Sequence, residues 1–537
     1  MSESTKNGSV VGAALVLGAS SLASALVGLV RQRVFTTTFG AGDTFDAFVA
    51  AFRIPDLVFN LVVVGALSAT FIPLFTDKLV QGKEGKKRAF DFALAVLNAV
   101  LLIVAACMAA YALLADRIVP LITPGFTGEK LELTILLSRI MAWQPILLSI
   151  SFVFSGILNS FKKFVMYALA PILYNVGIIF GVLALVPMMG VTGLGWGVVL
   201  GAFLHMLVQF PSVWRSGFRW RSDIRWGSKD LTALWRMLVP RVFGLAAQQI
   251  NLLIVTIIGS TLLAGSISAF HLANNVQTLP VAIFGLAFAQ AAFPTLAEHE
   301  ARREHRQFLH TLTQTFRYIL FFVIPLSVFF FLLRAQIIRV LFGDGAFDWE
   351  DTILTFETFG WLTLSIFAQA TIPLLTRAFY VRQNTMTPVL ISSASIAVNV
   401  FLAVYLAPIM GVQGLALAFS AAAVLNLLLL ILTLRGQLHG FDGRDLLRSG
   451  ARMVLAALVA GGVVQFLKYP IAAVVDMQRF WGVATQLVVA GGAGVGVYIF
   501  MCWILRCEEL QALRRYIPRR FLPLAATETT RFGGLLE

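Results

Sequence analysis

The stretch FDAFVAAFRIPDLVFN, residues 45–60, sets an acid, a base and an amide into an otherwise apolar run. Asp46, Arg53 and Asn60 recur every seven residues, so a helix presents them on one face. Asp56 follows Arg53 by about one turn, and Pro55 between them would kink the helix. A second apolar run, AFHLANNVQTLP, carries His271, Asn274, Asn275 and Thr278 at three-to-four spacing. Such groups are costly in a low-dielectric setting, and there they line cavities and substrate paths. A guanidinium on such a face can grip phosphate oxygens through two parallel hydrogen bonds. The structural alternative is an Asp46–Arg53 ion pair and interhelical hydrogen bonds that only hold a bundle together. Arg31 and Arg33 read as following the first apolar run directly, where they would snorkel to lipid headgroups. Arg139, Arg241 and Glu357 are further ionisable residues in or beside apolar runs and serve as secondary candidates.

Other chemistry is not written here. The chain has no P-loop, no HExxH and no GxSxG. Its three cysteines, Cys107, Cys502 and Cys507, have no CxxC spacing and no histidine cluster beside them. A transporter rather than an enzyme is expected, with no cofactor and no metal centre. A sodium or proton gradient, the membrane potential and the substrate gradient are the alternative energy sources.

The elements that position these residues follow from composition. Of 537 residues, 58% are hydrophobic and 13% charged, against about 25% charged in soluble domains. Apolar runs of about 20 residues, repeated along the chain, predict a polytopic all-helical membrane protein. Fourteen such segments are counted, the first read as a retained helix rather than a signal peptide. The net charge of +14 comes from Lys and Arg in alternate loops, such as Lys86, Lys87, Arg302, Arg303 and Arg444. This is a topology signal, not a nucleic-acid surface. Intervening loops are acidic, as at Asp344, Asp348 and Asp351. Both termini are then expected on the cytoplasmic side. The basic tail with Arg514, Arg515, Arg519 and Arg520 would lie against membrane lipids.

One phrase is written twice. VPMMGVTGLG (186–195) and APIMGVQGLA (407–416) stand 221 positions apart. Pro73 and Pro294, and the phenylalanines of PGF (Phe126) and GAF (Phe347), keep the same offset. Six spans fit in each unit, which predicts two parallel six-helix repeats facing each other across a central cavity. The expected divisions are an N-lobe at 1–220, a C-lobe at 221–440, two added helices at 441–507 and a basic tail at 508–537.

The segment FGAGDTFDAFVAAFRIPDLVFNLVVVGALSATFIPLF (39–75) resembles the signature of the MurJ/MviN lipid II flippases, of the multidrug/oligosaccharidyl-lipid/polysaccharide exporter superfamily. RAFYVRQNTMTPV (377–389) and QQINLLI (248–254) are similar to that family too, and the resemblance covers the whole chain. It implies a bacterial cytoplasmic-membrane flippase, acting by alternating access. Such a protein moves undecaprenyl-diphosphate-linked peptidoglycan precursor to the outer leaflet for cell-wall synthesis. It implies cavity cations facing the diphosphate, and a tail groove at the last two helices. Arg31, Asp46, Arg53, Asn60, His271, Asn274 and Asn275 are then the substrate contacts to expect. A monomer, with wall-synthesis enzymes as partners, fits this picture. The chain departs from the pattern at several positions. Paired family arginines fall on Phe59 and Asn60, a Glu on Val64, an Asp-Arg pair on Asn274-Asn275, an Arg on Ala25 and a helix-seven acid on Val255. The alternatives are a flippase for another polyprenyl-diphosphate glycan, a drug or cation antiporter, and a transport-inactive scaffold for wall synthesis.

Overall fold

The computed structural model describes residues 3–65, 71–82, 84–221, 249–438 and 443–514, with 232, 236 and 246 between. Among them every regular element is helical. We number the long helical segments α1 (Glu3–Phe39), α2 (Asp43–Val64), α3 (Gly85–Leu113), α4 (Gly128–Ser160), α5 (Phe164–Met189) and α6 (Thr192–Arg215). Then come α7 (Gln249–Gly259), α8 (Ser266–Ala301), α9 (His305–Leu332) and α10, a bent pair (Trp349–Thr363 and Ile366–Val381). α11 (Met386–Met410), α12 (Val412–Gln437), α13 (Gly443–Val474) and α14 (Phe480–Ile504) complete the set. Eleven of these are long and apolar enough to cross a membrane, or twelve with the bent pair as one span. The expected fourteen is thus a multi-pass helical bundle of eleven or twelve spans among the described residues.

The repeated phrase folds the same way twice. Gly190 (φ 68°, ψ −159°) turns the chain from α5 into α6, and Gly411 (φ 62°, ψ −142°) turns it from α11 into α12. Residues with a Cβ avoid this left-handed region, so glycine is required at both. Three residues on, Gly193 lies against the Leu185 backbone and Gly414 against the Leu406 backbone. A side chain there would pry the helix pair apart. α2 and α8 also each widen into a π turn, at Phe59–Val64 and Val281–Leu286.

Two aromatic-rich cores fill the halves. Phe71, Phe75, Phe90 and Phe92 anchor the core of α2–α6. Phe308, Phe316 and Phe379 anchor that of α8–α12. A third core joins the halves, with Phe35, Phe45 and Phe48 of α1 and α2 against Ile267 and Phe270 of α8. α10 bends by 46° at residues 363–366. There the Thr363 hydroxyl donates to the Gly360 carbonyl (2.7 Å) and Ser365 to Leu362 (3.0 Å). Such back-bonding bends helices.

Candidate functional site: a charged cavity under a sealed end

The halves meet at one end of the bundle through backbone and carboxylate contacts. The buried Asp46 carboxylate accepts from Gly265 N (2.8 Å), from Ser268 N (2.9 Å) and from the Ser268 hydroxyl. It thus caps the N-terminus of α8 from the other half, where helix amides lack partners and favour negative charge. Lys130 at the start of α4 holds Asp46 (2.9 Å) and Asp43 (2.7 Å). Asp351 accepts from Ala41 N (2.8 Å), and Ala346 N donates to Thr37 O (2.9 Å). Arg33 pairs with Asp344 (3.3 Å) and donates to Val340 O (2.8 Å). Gly265 (φ 86°) allows this approach, since a Cβ there would sit 2.0 Å from Ala41 O.

Beneath this seal lies a cavity of about 310 Å³. Its polar lining is Arg31, Gln32, Arg53, Asp56, Asn60, Gln144, Tyr174 and His271. α2 carries the wall inward: Arg53 stands seven residues past Asp46, about 10 Å deeper along the helix. Phe48, Phe52 and Phe59 give the same wall an apolar remainder. Arg53 Nε donates to the Thr256 hydroxyl of α7 (2.7 Å), which leaves its terminal nitrogens for other partners. Asn60 Nδ2 donates to Asp56 O (2.8 Å), and Gln144 Nε2 to the Tyr174 hydroxyl (3.1 Å). From α8, His271 Nε2 accepts from Gln32 Nε2 (3.3 Å) and Asn275 Nδ2 (3.1 Å), so an amide–imidazole chain crosses between the halves. Two guanidiniums and one carboxylate in one enclosed space leave net positive charge, which suits an anion.

The expected site residues divide. Arg31, Arg53, Asn60 and His271 share the cavity, and Asn275 supports His271. Five expectations are corrected. Arg31 does not follow the first helix at a lipid surface: α1 runs on to Phe39, and Arg31 faces the cavity. Asp46 is in the seal, not in the cavity, and its ion partner is Lys130, so no Asp46–Arg53 pair forms. Arg139 points outward to Asp116 (2.5 Å) and to Ala112 O (3.2 Å), where it is half exposed. Asn274 accepts from Gln277 Nε2 (2.9 Å), and Glu357 accepts from Gln413 of α12, so both are engaged outside the cavity lining. Arg241 lies outside the described residues. Sequence reasoning left out Gln144, Tyr174 and Lys130, single polar residues with no periodic partner. It also left Asp56 off the contact set, although its place one turn from Arg53 was a signal.

The model of the family described as "Lipid II flippase MurJ" matches residues 35–482. The chain belongs to the MurJ lipid II flippase family. Its members are transporters, so the absence of enzyme motifs and the family assignment agree. A probable lipid II flippase MurJ of Vibrio cholerae is 30% identical over 530 residues, covering 95% of this chain and 99% of the relative. One of Rhizobium tropici is 28% identical over 535 residues, covering 97% and 98%. A solved lipid II flippase MurJ, in an inward closed conformation, shares the fold at TM-score 0.75 and 24% identity, over 91% of this chain and 98% of that one. An inward-facing multidrug resistance MATE transporter of the MOP superfamily shares it more loosely, at TM-score 0.64 and 14% identity, over 78% and 95%. The family's fold and the seal-and-cavity geometry therefore come together in one chain.

Proposed function

We propose that the protein flips lipid II, the undecaprenyl-diphosphate-linked wall precursor, from the inner to the outer leaflet of the bacterial cytoplasmic membrane. One observation carries the reading in a chain of this family: Arg31 and Arg53 converge on one cavity, built by the N-terminal half and lined from the other half by His271. Paired guanidiniums suit a diphosphate. The sealed cavity is small for a sugar–peptide headgroup, since about 300 Å³ is the lower bound for drug-sized ligands. Transport by alternating access then requires the halves to part. The test is rescue of cells depleted of their own lipid II flippase. Growth restored by this chain supports the reading, and lysis despite normal membrane abundance overturns it.

The same reading gives fourteen spans, as two parallel six-helix lobes (1–220 and 221–440) and two added helices. The matched turns at Gly190 and Gly411 support the repeat. Loop charge supports cytoplasmic termini, with the Asp46 seal on the outer side. Cysteines at Lys86 and Arg303 are expected to be shielded from impermeant thiol reagents in intact cells, while one at Asp348 labels. External labelling at 86 sinks this topology. The protein works as a monomer, driven by an ion gradient or the membrane potential, and hands its product to wall-synthesis enzymes.

A second reading, a flippase for another polyprenyl-diphosphate glycan, is favoured by Phe59 and Asn275. Both stand where the family pattern has arginine. Phe59 lines the cavity and packs on Phe152 (ring centroids 5.0 Å). Removing cations from a low-dielectric cavity weakens attraction to a dianion. Phe59→Arg with Asn275→Arg is expected to preserve or improve rescue and to strengthen lipid II retention in native mass spectra. If the doubly restored variant holds lipid II no better than the parent, the second reading takes over.

A further inference from the structure

We propose that the protein carries a second lipid site, separate from the transport cavity, for a phospholipid of net negative charge. The site is an apolar groove of about 670 Å³ on the flank of the C-terminal half. Leu320, Val328 and Phe331 of α9, Leu364 at the α10 bend, and Leu458 and Gln465 of α13 line it. It shares no lining residue with the cavity, and α14 contributes none. The groove runs along α9 from Leu320 to Leu332. Twelve residues of helix measure about 18 Å, close to the half-thickness of a hydrocarbon core of about 30 Å. One leaflet-length acyl chain fills that length, whereas a long polyprenyl tail exceeds it.

Charge at one end of the groove selects the headgroup. Lys468 Nζ donates to Leu332 O (3.0 Å) and Gln465 Oε1 (3.1 Å), both groups of groove-lining residues. An ammonium has three donors, so one remains for a ligand. Arg334 stands over the Phe331 ring (4.8 Å) and donates NH1 to Phe331 O (2.8 Å), which leaves the rest of its fork free to bond. Arg334 is within electrostatic reach of Lys468. Neither has a carboxylate partner among the described residues. Two adjacent uncompensated cations at the mouth of an apolar slot match a phosphodiester on an acyl chain. A zwitterionic headgroup would bring its own ammonium against them. Under the orientation proposed above, this mouth faces the outer leaflet, so the lipid would brace α13 against α9 while the halves move. The binding itself depends neither on that orientation nor on lipid II transport.

The test is native mass spectrometry of the full chain with phosphatidylglycerol or phosphatidylethanolamine, in the parent and in Lys468→Gln with Arg334→Gln. Glutamine removes the charge and keeps an amide donor on a shorter stem. The parent is expected to retain phosphatidylglycerol over phosphatidylethanolamine, and the double variant to lose about tenfold in that preference. Leu458→Trp, which fills the slot at an exposed position, is expected to reduce occupancy with both cations in place. Equal retention of the two lipids by the parent overturns the proposal, as does an unchanged preference in the double variant. Displacement of phosphatidylglycerol by a polyprenyl diphosphate in the Arg31→Ala, Arg53→Ala background overturns it too, because the groove would then belong to the substrate. Failure of cell rescue leaves these readings intact, so this proposal and the flippase reading fail separately.

Discussion

Replacing Asp46 with alanine is expected to unlatch the two halves. Its carboxylate takes three hydrogen bonds from Gly265 and Ser268 across the interface and an ion pair from Lys130. Removing it leaves the Gly265 and Ser268 amides without this acceptor and Lys130 with Asp43 alone. Breaking a buried charge network by deleting one member costs about 3–5 kcal/mol. That cost falls on the sealed state, in which α2 and the start of α8 touch. A shift of about 3 kcal/mol moves a two-state ratio by roughly a hundredfold. The measurement is thiol labelling at Ala41→Cys, a buried position inside the seal, in a Cys107→Ala background. Labelling should be slow with Asp46 and fast without it. Asp46→Asn keeps an acceptor for α8 but drops the charge on Lys130, and should fall between. Labelling that stays slow in the alanine variant would show that the seal stands on its other contacts, Asp351–Ala41 and Arg33–Asp344.

The second large effect concerns the cavity cations. Arg53→Ala is expected to abolish transport at near-normal membrane abundance, and Arg53→Lys to restore it in part. A lysine brings the charge without the planar fork. Arg31→Ala together with Arg53→Ala should leave no rescue at all. Each lost charge-assisted contact is worth about 1.5–3 kcal/mol, or at least about tenfold in affinity. Arg53 has a second occupation, its bond to Thr256 across the halves, so the alanine variant alone is ambiguous. Thr256→Val separates the roles. It removes the hydroxyl acceptor and keeps the guanidinium free for substrate. Rescue by Thr256→Val with failure of Arg53→Ala assigns the arginine to the substrate. Equal failure of both assigns it to holding the halves together, and the cavity then needs another anion contact.

The sequence by itself determined the class of molecule and its local turns. Low charge and long apolar runs leave helices as the way to satisfy a backbone in lipid. The duplicated Pro–Gly phrase led to two turns of the same left-handed geometry, because that conformation is a local property of Gly190 and Gly411. The polar face of α2 was legible from its period of seven. How that face is used was decided by depth and by partners distant in the chain. Asp46 and Arg53 lie on one face but about 10 Å apart along the axis, so one meets the start of α8 and the other the cavity. Arg31 misled because hydropathy falls at the first charge, whereas helix length follows packing. Phe35 is buried against Phe45 and Phe48 and carries α1 on past the arginine. The neighbouring Arg33 is held by Asp344, 311 residues away. A charge pattern states what a side chain needs, and only the tertiary structure decides which distant segment supplies it.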